Sequence, residues 1–93
     1  MRGHAGSNIM PVIASNRIGR EVAPGGREVT FYGSSFISDH TGQLLAKAGR
    51  EAEEVLTATF DLDAIADLRS SWGLFRDRRP ETYRAVASLD GSA

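Results

Sequence analysis

Cysteine is absent from all 93 residues, which excludes disulfides, thiolate metal sites and a cysteine nucleophile from this chain. Long apolar runs are missing too. The longest, Ile9 to Ala14, is broken by Pro11, too short for a signal-peptide core and far below the ~20 residues of a membrane span. A soluble, cytoplasmic chain with no membrane partner is the expectation. Neither sign of charge dominates: eleven Lys and Arg stand against twelve Asp and Glu, for a net charge of -1. That balance supplies no global field for a polyanion, so nucleic acid is not an expected partner. The two histidines, His4 and His40, lie far apart and neither has a Glu, Asp or second His at ligand spacing. No metal is expected.

A chain of this length buries only about 60 to 65% of its unfolded surface, so an independent core is modest. Residues 1 to 8 are rich in Gly, Ala and Ser and read as the frayed end of a helix whose earlier turns are missing, since no N-cap precedes them. Val12-Ile13-Ala14 has the continuous apolar pattern of a strand covered on both faces. Residues 19 to 28, with Pro24-Gly25-Gly26, read as a surface loop. From Glu28 to Ser38 the β-branched and aromatic residues predict one strand, and its small centre, Gly33-Ser34-Ser35, predicts close packing there.

Asp39-His40-Thr41-Gly42 suits a type I turn into a second strand at Gln43 to Lys47, making a β-hairpin. After a polar loop near Gly49 to Glu53, the alternation of Val55 to Phe60 predicts a third antiparallel strand. Asp61 or Asp63 caps a helix whose Leu62, Ile65, Leu68 and Trp72 recur on one face. Gly73 weakens that helix, and Pro80 ends regular structure before a short turn around Thr82 to Ala87.

Polar groups at the end of a buried strand commonly point into a cleft, which makes Ser15, Asn16 and Arg17 the first substrate-binding candidates. The competing reading has Asn16 satisfying loop backbone groups and Arg17 ion-paired with Glu21 or another nearby carboxylate. Glu21 is either the acidic partner for a substrate ammonium group or a solvated loop carboxylate. Gly33-Ser34-Ser35 lacks the Gly-x-Ser-x-Gly spacing of a nucleophile turn. The arm of Trp72, Phe75, Arg76, Arg78, Arg79 and Tyr83 would suit single-stranded nucleic acid by stacking and charge. Its stronger reading is an interface with a neighbouring chain, for which Arg's planar fork is suited, and Asp77 and the overall charge favour that reading.

Three runs, PVIASNRIG (Pro11 to Gly19), VTFYGSSFI (Val29 to Ile37) and SWGLFRDRRP (Ser71 to Pro80), in this order resemble the C-terminal part of the carbon-nitrogen hydrolases of the nitrilase superfamily. The resemblance runs from Arg2 through to Leu89-Asp90-Gly91 but covers only about the last third of the family's usual polypeptide. It implies an α/β fold, the C-terminal portion of a nitrilase-type α-β-β-α sandwich, with residues 1 to 93 an incomplete domain. The implied chemistry is attack by a cysteine thiolate on a carbamoyl carbon, with a glutamate base and a lysine that stabilises the tetrahedral intermediate.

None of the three is assignable here, because the family's positions lie upstream of Met1, and Lys47, Glu51, Glu53 and Glu54 have no spacing that makes them substitutes. No catalytic residue is therefore expected in this chain, which alone is expected to be silent. In the complete enzyme the resemblance implies a small carbamoyl amine of polyamine synthesis as substrate, no metal or organic cofactor, and a homo-oligomer. Ser15, Asn16, Arg17 and Glu21 would border the pocket, and Trp72, Phe75, Arg76, Arg78, Arg79 and Tyr83 would meet the partner subunit. Two turns depart from the family pattern: Ser38 to Gly42, and Ala23-Pro24-Gly25-Gly26. The alternative is a non-catalytic interaction module that assembles through its apolar faces and this arm.

Overall fold

The computed structural model describes residues 1–92. A short helix, α1 (Arg2–Asn8), opens the chain as expected and has no side-chain cap at Met1. It stops where Ile9 turns into the left-handed region at φ 48°, and Met10 N–H closes back on the Ala5 carbonyl at 3.1 Å. Ala5 and Ile9 are buried. Arg2 Nε donates to the Gly42 carbonyl at 2.7 Å, fixing the start of α1 against a distant turn.

Five strands follow: β1 (Val12–Ala14), β2 (Ile18–Val22), β3 (Glu28–Tyr32), β4 (Phe36–Ser38) and β5 (Leu44–Lys47). They form two antiparallel sheets, one ordered β1-β4-β5 and the other the β2-β3 hairpin. In the first, Ile13 lies across from Ile37 and Ile37 across from Ala46, with an irregularity between Ile37 and Ser38. The Asp39 turn forms as predicted. Gly42 N–H donates to the Asp39 carbonyl at 3.1 Å, and Asp39 Oδ1 accepts from Thr41 N, Thr41 Oγ1 and Gln43 N at 2.7 to 2.9 Å. The Thr41 hydroxyl is the main reason that the Asp39 carboxyl sits below its ordinary range.

Four expectations are corrected. The loop predicted for residues 19 to 28 is confined to the tip, because Ile18 to Val22 pairs with Glu28 to Tyr32 in full register and Arg20 ion-pairs with Glu28 across the hairpin. Glu28 to Ser38 is not one strand. Gly33 and Ser34 adopt φ of 58° and 62°, which breaks the pleat and hands the chain from one sheet to the other. The predicted packing at that break is nevertheless present: a Cβ at Gly33 would stand 2.6 Å from Ile18 Cγ2 and 2.8 Å from the Gly49 carbonyl oxygen. Val55 to Phe60 alternates in sequence as a strand should but joins no ladder among the described residues. Finally, β1 is not covered on both faces: Ile13 is 70% exposed, while Val12 and Ala14 on the opposite face are half-buried.

The second helix, α2 (Leu62–Trp72), begins at Asp61, whose Oδ1 accepts from Ala64 N–H at 3.0 Å. Of its apolar face only Ile65 is buried, while Leu62 and Trp72 remain exposed. Gly73, at φ 64°, is the left-handed residue that terminates the helix, a position where glycine carries no Cβ penalty. Beyond it come a 3-10 turn (Pro80–Thr82) and α3 (Arg84–Ala87).

The assembled chain is a slab of 53 × 41 × 14 Å with a radius of gyration of 19.3 Å, against about 12 Å for a compact domain of this length. Its accessible surface is 7403 Å², where a compact monomer of this size exposes about 5,200 Å². Among the described residues only Ala5, Ile9, Ile37 and Ile65 form a buried apolar core. A fourteen-ångström thickness holds one layer of sheet with partial cover, too thin for the two packed layers that close a core.

Candidate functional site

The end of β1 leads straight into β2, and the three residues between them carry polar side chains beside the break in the β3-β4 strand. Asn16 braces this junction. Its backbone N–H donates to Ser35 Oγ at 2.8 Å, its Nδ2 to the Gly33 carbonyl at 2.7 Å, and its Oδ1 accepts from Arg17 N–H at 2.8 Å. Ser35 Oγ in turn donates to the Asn16 carbonyl at 3.3 Å. The left-handed Gly33-Ser34 pair is locked from the other side, where Ser34 N–H reaches the Gly49 carbonyl at 3.0 Å.

Beside this junction lies an open cleft of about 810 Å³, lined among others by Asn16, Arg17, Ser35, Gly49, Glu53 and Glu54. Two of the four substrate-binding candidates, Asn16 and Arg17, are on its wall. Ser15 lines a smaller adjoining hollow with Ile13, Phe36 and Leu56. Glu21 lies out on the hairpin, in a separate hollow beside Pro24 and Val29, and its carboxylate is paired with the Arg17 guanidinium. Arg17 also stacks over the Phe31 ring at 4.4 Å. Both partners of the Arg17–Glu21 pair are more than half exposed, so water screens it and its worth to stability is small.

Glu53 and Glu54 carried no spacing signal in the sequence, yet the fold brings both to the cleft. Glu54 Oε2 accepts from Gly49 N–H at 3.1 Å. No linear pattern joins an acid to a glycine five residues before it; the bend of the 49–54 loop does. The cleft therefore offers amide and hydroxyl groups, one guanidinium and two carboxylates. Ser35 is the wall's hydroxyl, engaged with Asn16, and the chain has no cysteine. Such a set can hydrogen-bond a polar ligand and supplies no thiolate to attack one.

The interface candidates gather on the arm after α2. Two guanidinium groups approach the Phe75 ring, Arg78 at 5.2 Å and Arg69 at 5.7 Å from its centroid. Arg76 holds Asp77 through two nitrogens at 2.8 and 3.1 Å, which keeps the Asp77 carboxyl below its usual range. Arg79 pairs with Glu81, and Arg78 Nε donates to the Phe75 carbonyl at 2.9 Å. Trp72, Phe75 and Tyr83 all remain exposed. The arm thus pairs Arg76 and Arg79 with its own carboxylates, holds Arg78 on a backbone carbonyl and the Phe75 ring, and presents its rings outward.

Residues 1–70 match the family profile described as carbon-nitrogen hydrolase. A crystal structure of a carbon-nitrogen hydrolase from Helicobacter pylori G27 superposes with a TM-score of 0.83 at 42% identity, covering 95% of this chain and 31% of that one. The chain belongs to the carbon-nitrogen hydrolase family, and its helices and antiparallel sheets are a portion of that α/β fold. Within the family it is 54% identical to the N-carbamoylputrescine amidase of Solanum tuberosum, over 99% of this chain and 32% of that protein. It is 53% identical to the citrullinase of Francisella tularensis, over 92% of this chain and 30% of that protein. The chain spans about a third of the length of the curated relatives it matches. Among the described residues no helix is long and apolar enough to cross a membrane.

Proposed function

We propose that this chain forms one wall of the substrate pocket of a cytoplasmic carbon-nitrogen hydrolase that converts N-carbamoylputrescine and water to putrescine, carbon dioxide and ammonia. The observation that carries the reading is the match, along 99% of the chain, to proteins named N-carbamoylputrescine amidase. In this reading residues 1–93 are one segment of an incomplete domain. Cysteine, glutamate and lysine come from the part of the family polypeptide that this chain does not span. Its own contribution is to bind and orient. Asn16 and Arg17 line the cleft that takes the carbamoyl amine, with Ser15 in the adjoining hollow; Glu21, outside the cleft, acts on it through its ion pair with Arg17; and the arm from Trp72 to Tyr83 docks on a partner subunit of a homo-oligomer. The exposed rings of that arm support the last assignment, since aromatic and Arg side chains are enriched at interfaces.

A second substrate deserves a parallel assay because the citrullinase is nearly as similar as the amidases. Citrulline shares the carbamoyl amine end and differs at the far end, where a carboxylate accompanies the ammonium group. Arg17 on the cleft wall suits that carboxylate. The test is ammonia release from both compounds by the purified chain, alone and mixed with the unmatched part of the Solanum tuberosum amidase. Silence alone and turnover of N-carbamoylputrescine in the mixture is the expected result. Activity of the chain alone would overturn the argument from the missing cysteine, and faster turnover of citrulline would replace the substrate.

A further inference from the structure

The left-handed Gly33-Ser34 pair is clamped from two sides. On one, Gly33 N–H donates to the Arg17 carbonyl at 2.9 Å, and the Gly33 carbonyl accepts from Asn16 Nδ2 at 2.7 Å. On the other, Ser34 N–H donates to the Gly49 carbonyl at 3.0 Å. The second jaw is only as firm as Gly49. Backbone bonds to the strand break carry as far as Ala48, whose N–H donates to the Ser35 carbonyl at 2.8 Å, and Gly49 beyond it has the wide conformational freedom of a residue without Cβ. Glu54 removes that freedom. Its Oε2 accepts from Gly49 N–H at 3.1 Å, and among the described residues no ion pair competes for this carboxylate.

A peptide unit is planar, so a residue is oriented by the planes on its two sides. Glu54 holds the plane before Gly49 through its N–H, and Ser34 holds the plane after it through its carbonyl. We infer that Glu54 is a positioning residue of the cleft, which fixes Asn16 and Arg17 through Gly49 and the Gly33-Ser34 break without a bond to either. The path ends on both cleft candidates, because Asn16 Oδ1 accepts from Arg17 N–H at 2.8 Å. The same bond closes the 49–54 loop, whose Gly49, Glu53 and Glu54 line the cleft. The effect of Glu54 on turnover rests on the proposed reading of this cleft as the substrate pocket, whereas its effect on the strand break does not.

The experiment has a structural arm and a kinetic arm. Amide hydrogen exchange on the purified 93-residue chain reads Gly49, Ser34 and Gly33 in the wild type, Glu54→Ala, Glu54→Gln and Glu51→Ala. The same proteins, each mixed with the unmatched part of the Solanum tuberosum amidase, give kcat and KM for N-carbamoylputrescine. One ordinary hydrogen bond corresponds to about a fivefold change, so Glu54→Ala should speed exchange at all three amides and raise KM about fivefold, with kcat within about twofold. Glu54→Gln keeps an acceptor oxygen at the same reach and should return each value to within about twofold of the wild type. Glu51 lies in the same loop but off the cleft, and its replacement should leave all of them unchanged. Faster exchange confined to Gly49 would make Glu54 a local loop clasp and overturn the inference. Equal damage in Glu54→Gln or Glu51→Ala, a KM that does not move in Glu54→Ala, or wild-type amides at 33, 34 and 49 that exchange as in an unfolded chain would overturn it as well. If no mixture turns over the substrate, the pocket reading fails, and exchange at Ser34 and Gly33 still decides for or against Glu54.

Discussion

Gly33 is the sharpest point at which to test the packing of the cleft wall. A methyl group there would stand 2.6 Å from Ile18 Cγ2 and 2.8 Å from the Gly49 carbonyl oxygen, on a backbone held at φ 58°. The left-handed conformation costs a non-glycine residue roughly 1–2 kcal/mol, and forced overlap in a packed site adds about 1–3 kcal/mol. Gly33→Ala should therefore weaken the junction by about 2–5 kcal/mol, the sum of those two costs. The overlap falls on the carbonyl that accepts from Ser34 N–H, so the damage should read out locally. At the low end of that range the Ser34 amide exchanges with solvent about 30-fold faster, since 1.4 kcal/mol is tenfold. Gly25→Ala is the control: its φ is 94° but nothing lies within 4 Å of a Cβ there, so it strains the hairpin tip and leaves Ser34 alone. Ser34 exchange within twofold of the wild type in Gly33→Ala would refute the account of the Gly33-Gly49 contact.

Asp61→Ala removes the acceptor for Ala64 N–H and should cost α2 about 1 kcal/mol, seen as lost helical ellipticity; unchanged ellipticity means the cap is idle. The depressed carboxyl of Asp39 stabilises the turn above its ordinary titration range, and the contribution disappears as pH falls through the folded value. Thr41→Val should move that midpoint, followed by carboxyl NMR, upward toward the ordinary range, and an unmoved midpoint would remove Thr41 as the cause. Glu21→Gln frees the Arg17 guanidinium and should lower KM for citrulline relative to N-carbamoylputrescine in the reconstituted enzyme. An unchanged ratio of the two KM values would place Arg17 away from the far end of the substrate.

Local chemistry was legible in the sequence wherever neighbours along the chain supply the partners. The Asp39 turn, the cap at Asp61 and the strand at Val12 to Ala14 lie where the residues predict them, because each depends on bonds or side-chain patterns within a few residues. The competing reading of Asn16 and Arg17 was legible as well, and the structure contains it: Asn16 holds loop backbone groups while Arg17 pairs with Glu21. Cleft lining and loop bracing coexist at Asn16. Glu53 and Glu54 were invisible as cleft residues because their position depends on how the loop after β5 bends back toward the β1-β2 junction.

Composition and motif alone determined the absence of a thiolate, the family resemblance and the order of helix and strand signals. Only the tertiary structure decided where strands begin and end, since a ladder requires a second backbone at the right distance. Arg20 and Glu28 found theirs and turned a predicted loop into a hairpin. Gly33 and Ser34 split one predicted strand between two sheets by adopting positive φ. Val55 to Phe60 carries the side-chain alternation of a strand without one, because periodicity states which face a residue would take and cannot supply the neighbour that pairs with it.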